Sequence, residues 1–372
     1  MAGPKRAVLL VGAGHAHLAL VLAAGRFRQA GAELTLIDPG RFWYSGRAAV
    51  LLGGLVREAE DTVDPGALCR SVGVRFVQGR ANRLDGDRRE LVLETGRRLP
   101  YDLVSFNAGS VVDIPFPVES TDVWPVKPIA GLPALKKAIE RASRSLKIVV
   151  AGGGATGCEI AGNLIDLGRS RPQDLAVTLV SSGPRLVETG PPGASAWIAD
   201  NLAGRGAELL LGRRIASVRD HQVVLEDGSA IGFDHLVLAT GLKATPLVSC
   251  LGVPFVRKGG VRVAPTLRSV GDERVFAAGD CAAIEGYDLP KIGVYGVRAA
   301  PILEHNLLAS LADRPLRRYR PQRRYLSILD IGDGTGLAMR GRLWLPGRAV
   351  ARLKHWIDGR FLRRYQDVAQ RE

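Results

Sequence analysis

Gly12-Ala-Gly14-His-Ala-His17 and Gly152-Gly-Gly154-Ala-Thr-Gly157 are two glycine-rich loops in one chain. The first follows the apolar run Ala7-Val-Leu-Leu-Val11 and the second follows Leu146-Lys-Ile-Val-Val150. Each opens a segment whose apolar residues recur at helical spacing. A strand that ends in such a loop brings backbone N–H groups and a helix N-terminus up to a pyrophosphate. One loop of this kind is a weak signal, but two in strand–loop–helix context imply that two dinucleotides bind one chain.

Outward from the first loop, residues 18–29 read as a helix and Glu33-Leu-Thr-Leu-Ile37 as a second strand. That strand ends on Asp38, an acid placed to hold ribose hydroxyls. Further strands are expected near 74–77, 91–94 and 102–105, the last leading into Asn107-Ala-Gly-Ser110. Proline density rises over 114–128 and marks a domain crossing. A second βαβ unit covers 145–180, followed by a helix near 194–202, strands near Leu209 and Val223, and the run Asp234-His-Leu-Val-Leu-Ala-Thr-Gly241. Gly259-Gly-Val-Arg-Val263 begins the return, Arg274-Val-Phe-Ala-Ala-Gly-Asp280 ends on an acid, and a helix is expected over 295–311. The pattern predicts one nucleotide-binding domain (1–118 and 252–312) with a second (119–251) inserted into it, then a basic C-terminal region (313–372).

The chain of 372 residues, 46% hydrophobic and 24% charged, has an ordinary globular composition and room for two domains and an appendage. It has no uninterrupted apolar run of about 18 residues, so a spanning helix is not expected. Lys5-Arg6 before an apolar stretch imitates a secretion signal, but Gly12, Gly14, His15 and His17 break that stretch. Cys69, Cys158, Cys250 and Cys281 form no CxxC pair and read as packing residues of a reducing, cytoplasmic setting. The net charge of +14 is uneven, because residues 314–372 hold 15 Arg and Lys against 5 Asp and Glu. Such a surplus is either a solvated face or an attraction to anionic lipid or another polyanion.

Several stretches together resemble a known superfamily: Gly12–His17, Tyr44-Ser-Gly46, Tyr101-Asp102 with Gly109-Ser110, Val126-Lys-Pro128, the second loop through Glu159, Ala239-Thr-Gly241, Phe276-Ala-Ala-Gly-Asp-Cys281, Leu289-Pro-Lys291 and Gly293-Val-Tyr-Gly-Val-Arg298. They are similar to the two-dinucleotide flavoproteins that include pyridine nucleotide-disulfide reductases, type II NADH dehydrogenases and sulfide:quinone oxidoreductases. Within these the chain most resembles the NADH-dehydrogenase-like branch also found fused ahead of selenide, water dikinase. The resemblance implies an α/β protein of two Rossmann-like, three-layer (ββα) domains, the NAD(P)H domain inserted in the FAD domain, with a C-terminal α/β appendage.

The same resemblance assigns roles. Gly12, Gly14, His15 and Asp38 are expected at the FAD pyrophosphate and adenosine ribose, and Asp280 at the ribityl chain. Tyr44, Ser45, Ala108, Gly109, Lys127, Thr240, Gly241, Gly279 and Val294 are expected to line the bound cofactors. His17 stands where the family has its third glycine, which should loosen helix–strand packing. With no third ligand nearby, His15 and His17 are not expected to hold a metal. Lys291 and Tyr295 are the candidate catalytic residues, near a helix N-terminus aimed at the flavin edge where reduction places negative charge. A surface lysine and a core tyrosine are the competing readings.

Gly152, Gly154, Gly157 and Glu159 are expected to hold the nicotinamide nucleotide. The strand after them ends in Ser181-Ser182 rather than on an acid, with Arg185 close behind. The resemblance points to NADH, and Arg185 leaves NADPH open. It implies hydride transfer from NADH or NADPH to flavin and two electrons onward to a quinone-type acceptor, with a homodimer compatible. Val294 and Arg298 stand where type II dehydrogenases with an established quinone site carry glutamines, so the acceptor rests on the resemblance. Sulfide oxidation and reduction of a ferredoxin- or rubredoxin-type carrier remain alternatives on the same fold.

In the tail, Val350, Leu353, Ile357, Phe361 and Tyr365 recur at helical spacing opposite Arg348, Arg352, Lys354, Arg363 and Arg364. A basic amphipathic helix of this kind either lies peripherally on a membrane, here the cytoplasmic face of the inner membrane, or packs on the FAD domain. Arg317-Arg-Tyr-Arg-Pro-Gln-Arg-Arg-Tyr325 is too short and too proline-broken for a nucleic-acid site, so no nucleic acid is expected.

Overall fold

A computed structural model of the chain describes residues 5–371. Positions 1–4 of the first expected domain and position 372 of the basic region lie outside the described residues. Each glycine loop leaves the central strand of a five-stranded parallel sheet. In the first sheet the order is Val275–Ala277, Leu103–Phe106, Arg6–Val11, Ala32–Asp38, Arg75–Gln78. In the second it is Val123–Pro125, His235–Leu238, Leu146–Ala151, Leu175–Val180, Glu208–Leu210. The chain runs from each central strand to one side and later returns to the other. Both loops therefore sit at topological switch points, where open parallel sheets form ligand crevices.

A three-stranded antiparallel meander over Ala81–Asp85, Glu90–Leu93 and Arg98–Pro100 accompanies the first sheet. A four-stranded one accompanies the second. A two-stranded ribbon, Ser110–Val112 against Leu242–Ala244, carries the chain out of the first unit and back into it. The strand Val275–Ala277 then closes the edge of the first sheet. This is the inserted, doubly wound α/β architecture.

The helix after the first loop opens earlier than 18, at His15, and breaks at Ala23 into His15–Leu22 and Ala24–Gln29. Gly14 caps it in extended conformation, so helical geometry begins directly after the turn. The later helix, Gly293–Leu311, likewise starts two residues before the expected 295.

The appendage is a three-stranded antiparallel sheet (Ser327–Asp330, Gly336–Arg340, Leu343–Gly347) followed by the C-terminal helix Arg348–Ala369. It joins both hydrophobic cores. Leu329, Ile331, Leu337 and Met339 pack with the second domain, and Leu362 and Tyr365 with the first. Fully burying each such side chain contributes about 1.5–3 kcal/mol.

The helix departs from its sequence pattern. Val350 and Tyr365 are buried as the stripe requires, but Leu353 and Ile357 are exposed, and Lys354, placed by sequence on the solvated face, is only 6% exposed. The helix lies in the groove between the domains, where carboxylates and a carbonyl take the ammonium, and this rotates the buried face. Gly359 supports the fit, since Arg47 crosses the helix there: a Cβ would come within 3.2 Å of an Arg47 guanidinium nitrogen.

Candidate functional site

The buried strand Arg6–Val11 ends in Gly12 at φ +90°, a backbone region that favours glycine. A Cβ on Gly12 would lie 2.6 Å from the Ala108 Cα. The loop can therefore lie against residues 107–108 only without a side chain. Asn107 clasps the two segments. Its Oδ1 accepts from the Ala16 N–H at 2.9 Å, and its Nδ2 donates to the Ala278 carbonyl at 2.7 Å. Sequence reading passed over Asn107, whose one signal is its place at a strand end before Ala-Gly. Asp38 accepts from the Ala13 N–H at 2.7 Å and the Gly40 N–H at 2.9 Å, fixing the loop to the neighbouring strand end.

His17 does not loosen this packing. It is fully buried, with one ring nitrogen 2.7 Å from the Gly12 carbonyl oxygen and the other 2.8 Å from Ser105 Oγ. Burial drives its pKa down to about 4, so it is a neutral brace beneath the loop. His15 points instead toward the Gly293–Leu311 helix, where a Cβ on Gly293 would lie 3.0 Å from its ring. Burial brings its pKa to about 4 as well.

Asp280 follows the edge strand and is paired. Its Oδ2 accepts from Ser110 Oγ at 2.6 Å and from Lys127 Nζ at 3.0 Å, and Lys127 also donates to Ser110 at 3.0 Å. Burial works to raise the Asp280 pKa, but Lys127 and Ser110 carry it below the usual carboxylate value. Lys291 is no free surface lysine. Its ammonium donates to the Asp280 carbonyl and, at 2.7 Å, to the Gly259 carbonyl, and burial lowers its pKa. Tyr295 lines a small cavity with Gly279, Asp280 and Lys291, while its hydroxyl points to the Gln322 carbonyl at 3.4 Å. Val294 is half-buried in the first turn of the same helix. A loop that a Cβ would fill and an acid bonded through one oxygen only fit the phosphates and hydroxyls of a dinucleotide such as FAD.

The second loop is the stricter of the two. Gly152 has φ +125°, and a Cβ on Gly157 would overlap the Gly152 carbonyl oxygen. Gly154 caps the helix Ala155–Arg169 and faces open space. Thr240 Oγ1 donates to the Asp113 carbonyl at 2.5 Å and the Asp113 N–H to the Gly241 carbonyl at 2.9 Å, locking the return ribbon beside the loop. Ser181 is buried against Gly153. Arg185 is bound to its own loop, donating to the Glu188 carbonyl at 2.8 Å.

Tyr44, Ser45 and Glu159 meet at a third place, beneath the C-terminal helix. Tyr44 stacks on Phe361 with centroids 4.9 Å apart and donates its hydroxyl to Asp358 at 3.0 Å. Ser45 lies in the adjoining turn Ser45–Arg47. Glu159 accepts from the Asp330 N–H at 2.8 Å. Lys354 Nζ lies 3.8 Å from Glu159 and 3.2 Å from Asp358, and donates to the Gly46 carbonyl at 2.5 Å. Burial pushes the Glu159 carboxyl up to about 7 against the pull of Lys354. Sequence reading missed Lys354, Asp358 and Asp330, because only the docked helix brings them here.

All four cysteines are free, and Cys250 is exposed rather than a packing residue because it ends a surface turn. Burial raises the thiols of Cys69 and Cys158 to about 12 and of Cys281 to about 11, so these are protonated and unreactive at neutral pH.

Residues 6–300 match the pyridine nucleotide-disulphide oxidoreductase pattern. The chain belongs to the pyridine nucleotide-disulphide oxidoreductase family. It is an oxidoreductase that uses FAD and NAD(P)H. Among family members it is 26% identical over 277 residues to ferroptosis suppressor protein 1 of Taeniopygia guttata, covering 71% of each chain. It is 30% identical over 188 residues to the type II NADH:quinone oxidoreductase of Haemophilus influenzae, covering 47% of this chain and 42% of that one. Its fold matches the sulfide:quinone oxidoreductase of Aquifex aeolicus with TM-score 0.82 and 16% identity, over 98% of this chain and 92% of that one.

Proposed function

We propose that this family member is a type II-like NAD(P)H dehydrogenase that delivers two electrons to a quinone-class acceptor. Residues 1–118 and 252–312 hold FAD, and 119–251 hold NAD(P)H. The observation that carries the acceptor assignment is the junction beneath the C-terminal helix. There the stacked Tyr44 and Phe361 rings adjoin His15, 5.3 Å from Phe361, and the buried Lys354–Glu159 pair lies close by. A flat apolar acceptor needs aromatic faces, and its two-electron reduction consumes two protons. Glu159, with a pKa near 7, and Lys354 are the protein groups placed to hold protons there.

FAD, when bound, supplies a two-electron carrier between NAD(P)H and the acceptor. Gly12, Gly14, Ala108, Gly109, Gly279 and Asp280 would hold it, with Lys127 and Lys291 as cations on the Asp280 side. Gly152, Gly154 and Gly157 would hold the nicotinamide nucleotide. The raised thiols of Cys158 and Cys281 weigh against a sulfide-oxidising variant. No helix among the described residues is long and apolar enough to cross a membrane. We assign membrane contact to the exposed Leu353, Trp356 and Ile357 with the neighbouring Arg352 and Arg360.

Purified protein should be yellow and should bleach on anaerobic addition of NADH or NADPH. The colour should return with a soluble quinone faster than with ferricyanide-free buffer or an acidic carrier protein. Bleaching without reoxidation by any quinone would remove the acceptor assignment, and colourless protein that takes up no FAD would remove the whole reading.

A further inference from the structure

We propose that Glu188 is the residue that selects NADH over NADPH, replacing the acid missing at the end of the strand Leu175–Val180. The inference rests on the reading that the second loop binds NAD(P)H. In such sites an acid beside the end of this strand accepts from the ribose 2′- and 3′-hydroxyls and repels a 2′-phosphate. The strand here runs into Ser181-Ser182-Gly183, with no carboxylate in sequence.

The fold supplies one from further along. The Glu188 carboxylate folds back onto Gly183, where a Cβ would lie 2.9 Å from Oε2 and closer still to Oε1. A side chain at 183 would push the carboxylate aside. The turn that reverses the chain is costly: Val187 sits at φ 46°, a left-handed conformation that β-branched residues rarely adopt. Three bonds hold it there. The Val187 N–H donates to the Gly153 carbonyl at 2.8 Å, the Gly190 N–H to the Val187 carbonyl at 2.8 Å, and Ser195 Oγ to the Leu186 carbonyl at 2.6 Å. The first of these ties the turn directly to the middle glycine of the nucleotide loop, and Ser181 packs on that same glycine. The acid and the loop thus share one frame.

The cations nearby are committed elsewhere. The Arg185 guanidinium, the group suited to a 2′-phosphate, donates to the carbonyls of Glu188 (2.8 Å) and Gly190 (3.5 Å). The Arg213 side chain is paired with Asp227. Glu188 itself is exposed and has no ion-pair partner among the described residues. An unpaired carboxylate at this place favours a diol and disfavours a phosphate.

The test is calorimetric titration of the FAD-loaded protein with NAD+, NADP+ and 2′,5′-ADP, for the natural chain, Glu188→Gln and Gly183→Ala, beside kcat/KM with NADH and NADPH. The natural chain should bind NAD+ more tightly than NADP+. Glu188→Gln should move the NADP+/NAD+ affinity ratio toward NADP+ by about tenfold or more, the scale of losing one charge-assisted hydrogen bond and one repulsion. The same variant should strengthen 2′,5′-ADP binding and leave the melting temperature unchanged. Gly183→Ala, which displaces the carboxylate, should move the ratio in the same direction. Tighter NADP+ binding by the natural chain, or an unchanged ratio in Glu188→Gln, overturns the proposal. Failure of all three nucleotides to bind overturns the reading of the second loop, and the proposal with it.

Discussion

Phe361 of the C-terminal helix stacks on Tyr44 with ring planes 25° apart and centroids 4.9 Å apart. Residues more than three hundred positions apart thereby form one wall. Tyr44 follows the first sheet's second strand, and Phe361 comes from a helix that also ion-pairs with the second domain through Lys354. The appendage braces the two domains, and on the proposed reading its removal should damage electron delivery before it damages nucleotide binding.

Phe361→Ala should leave anaerobic bleaching by NADH intact and slow reoxidation by a soluble quinone by about tenfold or more. The half-buried ring gives up less packing than the roughly 3–5 kcal/mol of a fully buried phenylalanine. Stopped-flow spectroscopy separates the two half-reactions. Equal slowing of both would show that Phe361 acts on overall stability and not on the acceptor.

Asp280→Asn should lower FAD occupancy. The carboxylate is held ionised by Lys127 and Ser110, so the amide leaves the half-buried Lys127 without its charge partner and weakens the hydroxyl acceptor. The ratio of flavin to protein absorbance after gel filtration should fall by about tenfold, with Ser110→Ala milder, since it removes two hydrogen bonds but leaves the Lys127–Asp280 ion pair in place. Full occupancy in Asp280→Asn would sever Asp280 from the FAD site.

The parts of this site legible in sequence are those whose demands are local. Gly12 and Gly152 turn the backbone at positive φ directly after a strand, Gly157 must clear the Gly152 carbonyl, and Asp280 follows a strand of plain apolar pattern. The parts that were not legible depend on contacts across the chain. Arg185 looked free to meet a phosphate because nothing in sequence shows it bound to carbonyls 188 and 190. Sequence reading missed Glu188, because the left-handed turn at Val187 that returns it to Gly183 leaves no mark in sequence. Lys354 fell on the polar face of its helix because periodicity records polarity and cannot register a buried ion pair. His17 read as a flaw in the loop, yet its hydrogen bonds to Gly12 and Ser105 make it a prop.

Asp61 makes stability depend on pH. It is fully buried with neither carboxylate oxygen bonded, and burial lifts its pKa to about 8, aided by Asp358 and opposed by Arg47 and Lys354. An acid protonated in the folded state and ionised in the unfolded state loses stability as pH rises from its unfolded value, near 4, to its folded one, at up to about 1.4 kcal/mol per pH unit. Glu159 acts in the same sense up to about 7. His15 and His17, lowered to about 4, act oppositely and lose stability as pH falls below their unfolded value near 6.5. Between pH 6.5 and 8 the acids stand alone, so the melting temperature should fall. Asp61→Asn should remove most of that fall, and its advantage over the natural chain should grow from pH 4 to 8 and then level off. A difference independent of pH would show that Asp61 does not titrate in the folded protein.

The exposed patch on the C-terminal helix offers the last test. Leu353, Trp356 and Ile357 are 44%, 55% and 38% exposed, and Arg360 lies over the Trp356 ring at 5.5 Å. Apolar side chains with an arginine beside them suit the headgroup boundary of an anionic bilayer. The buried Lys354 and Asp358 lie on the side turned toward the domains, away from Leu353 and Trp356, with the half-buried Phe361 one turn beyond Ile357. Leu353→Asp with Ile357→Asp should therefore abolish co-sedimentation with vesicles containing phosphatidylglycerol while sparing flavin content and NADH bleaching. Vesicle binding should also weaken as salt rises, because exposed charges are screened beyond about 10 Å at 0.1 M ionic strength. If the double variant binds vesicles as before, or instead turns a dimer into a monomer in light scattering, the patch serves a partner chain and not a membrane.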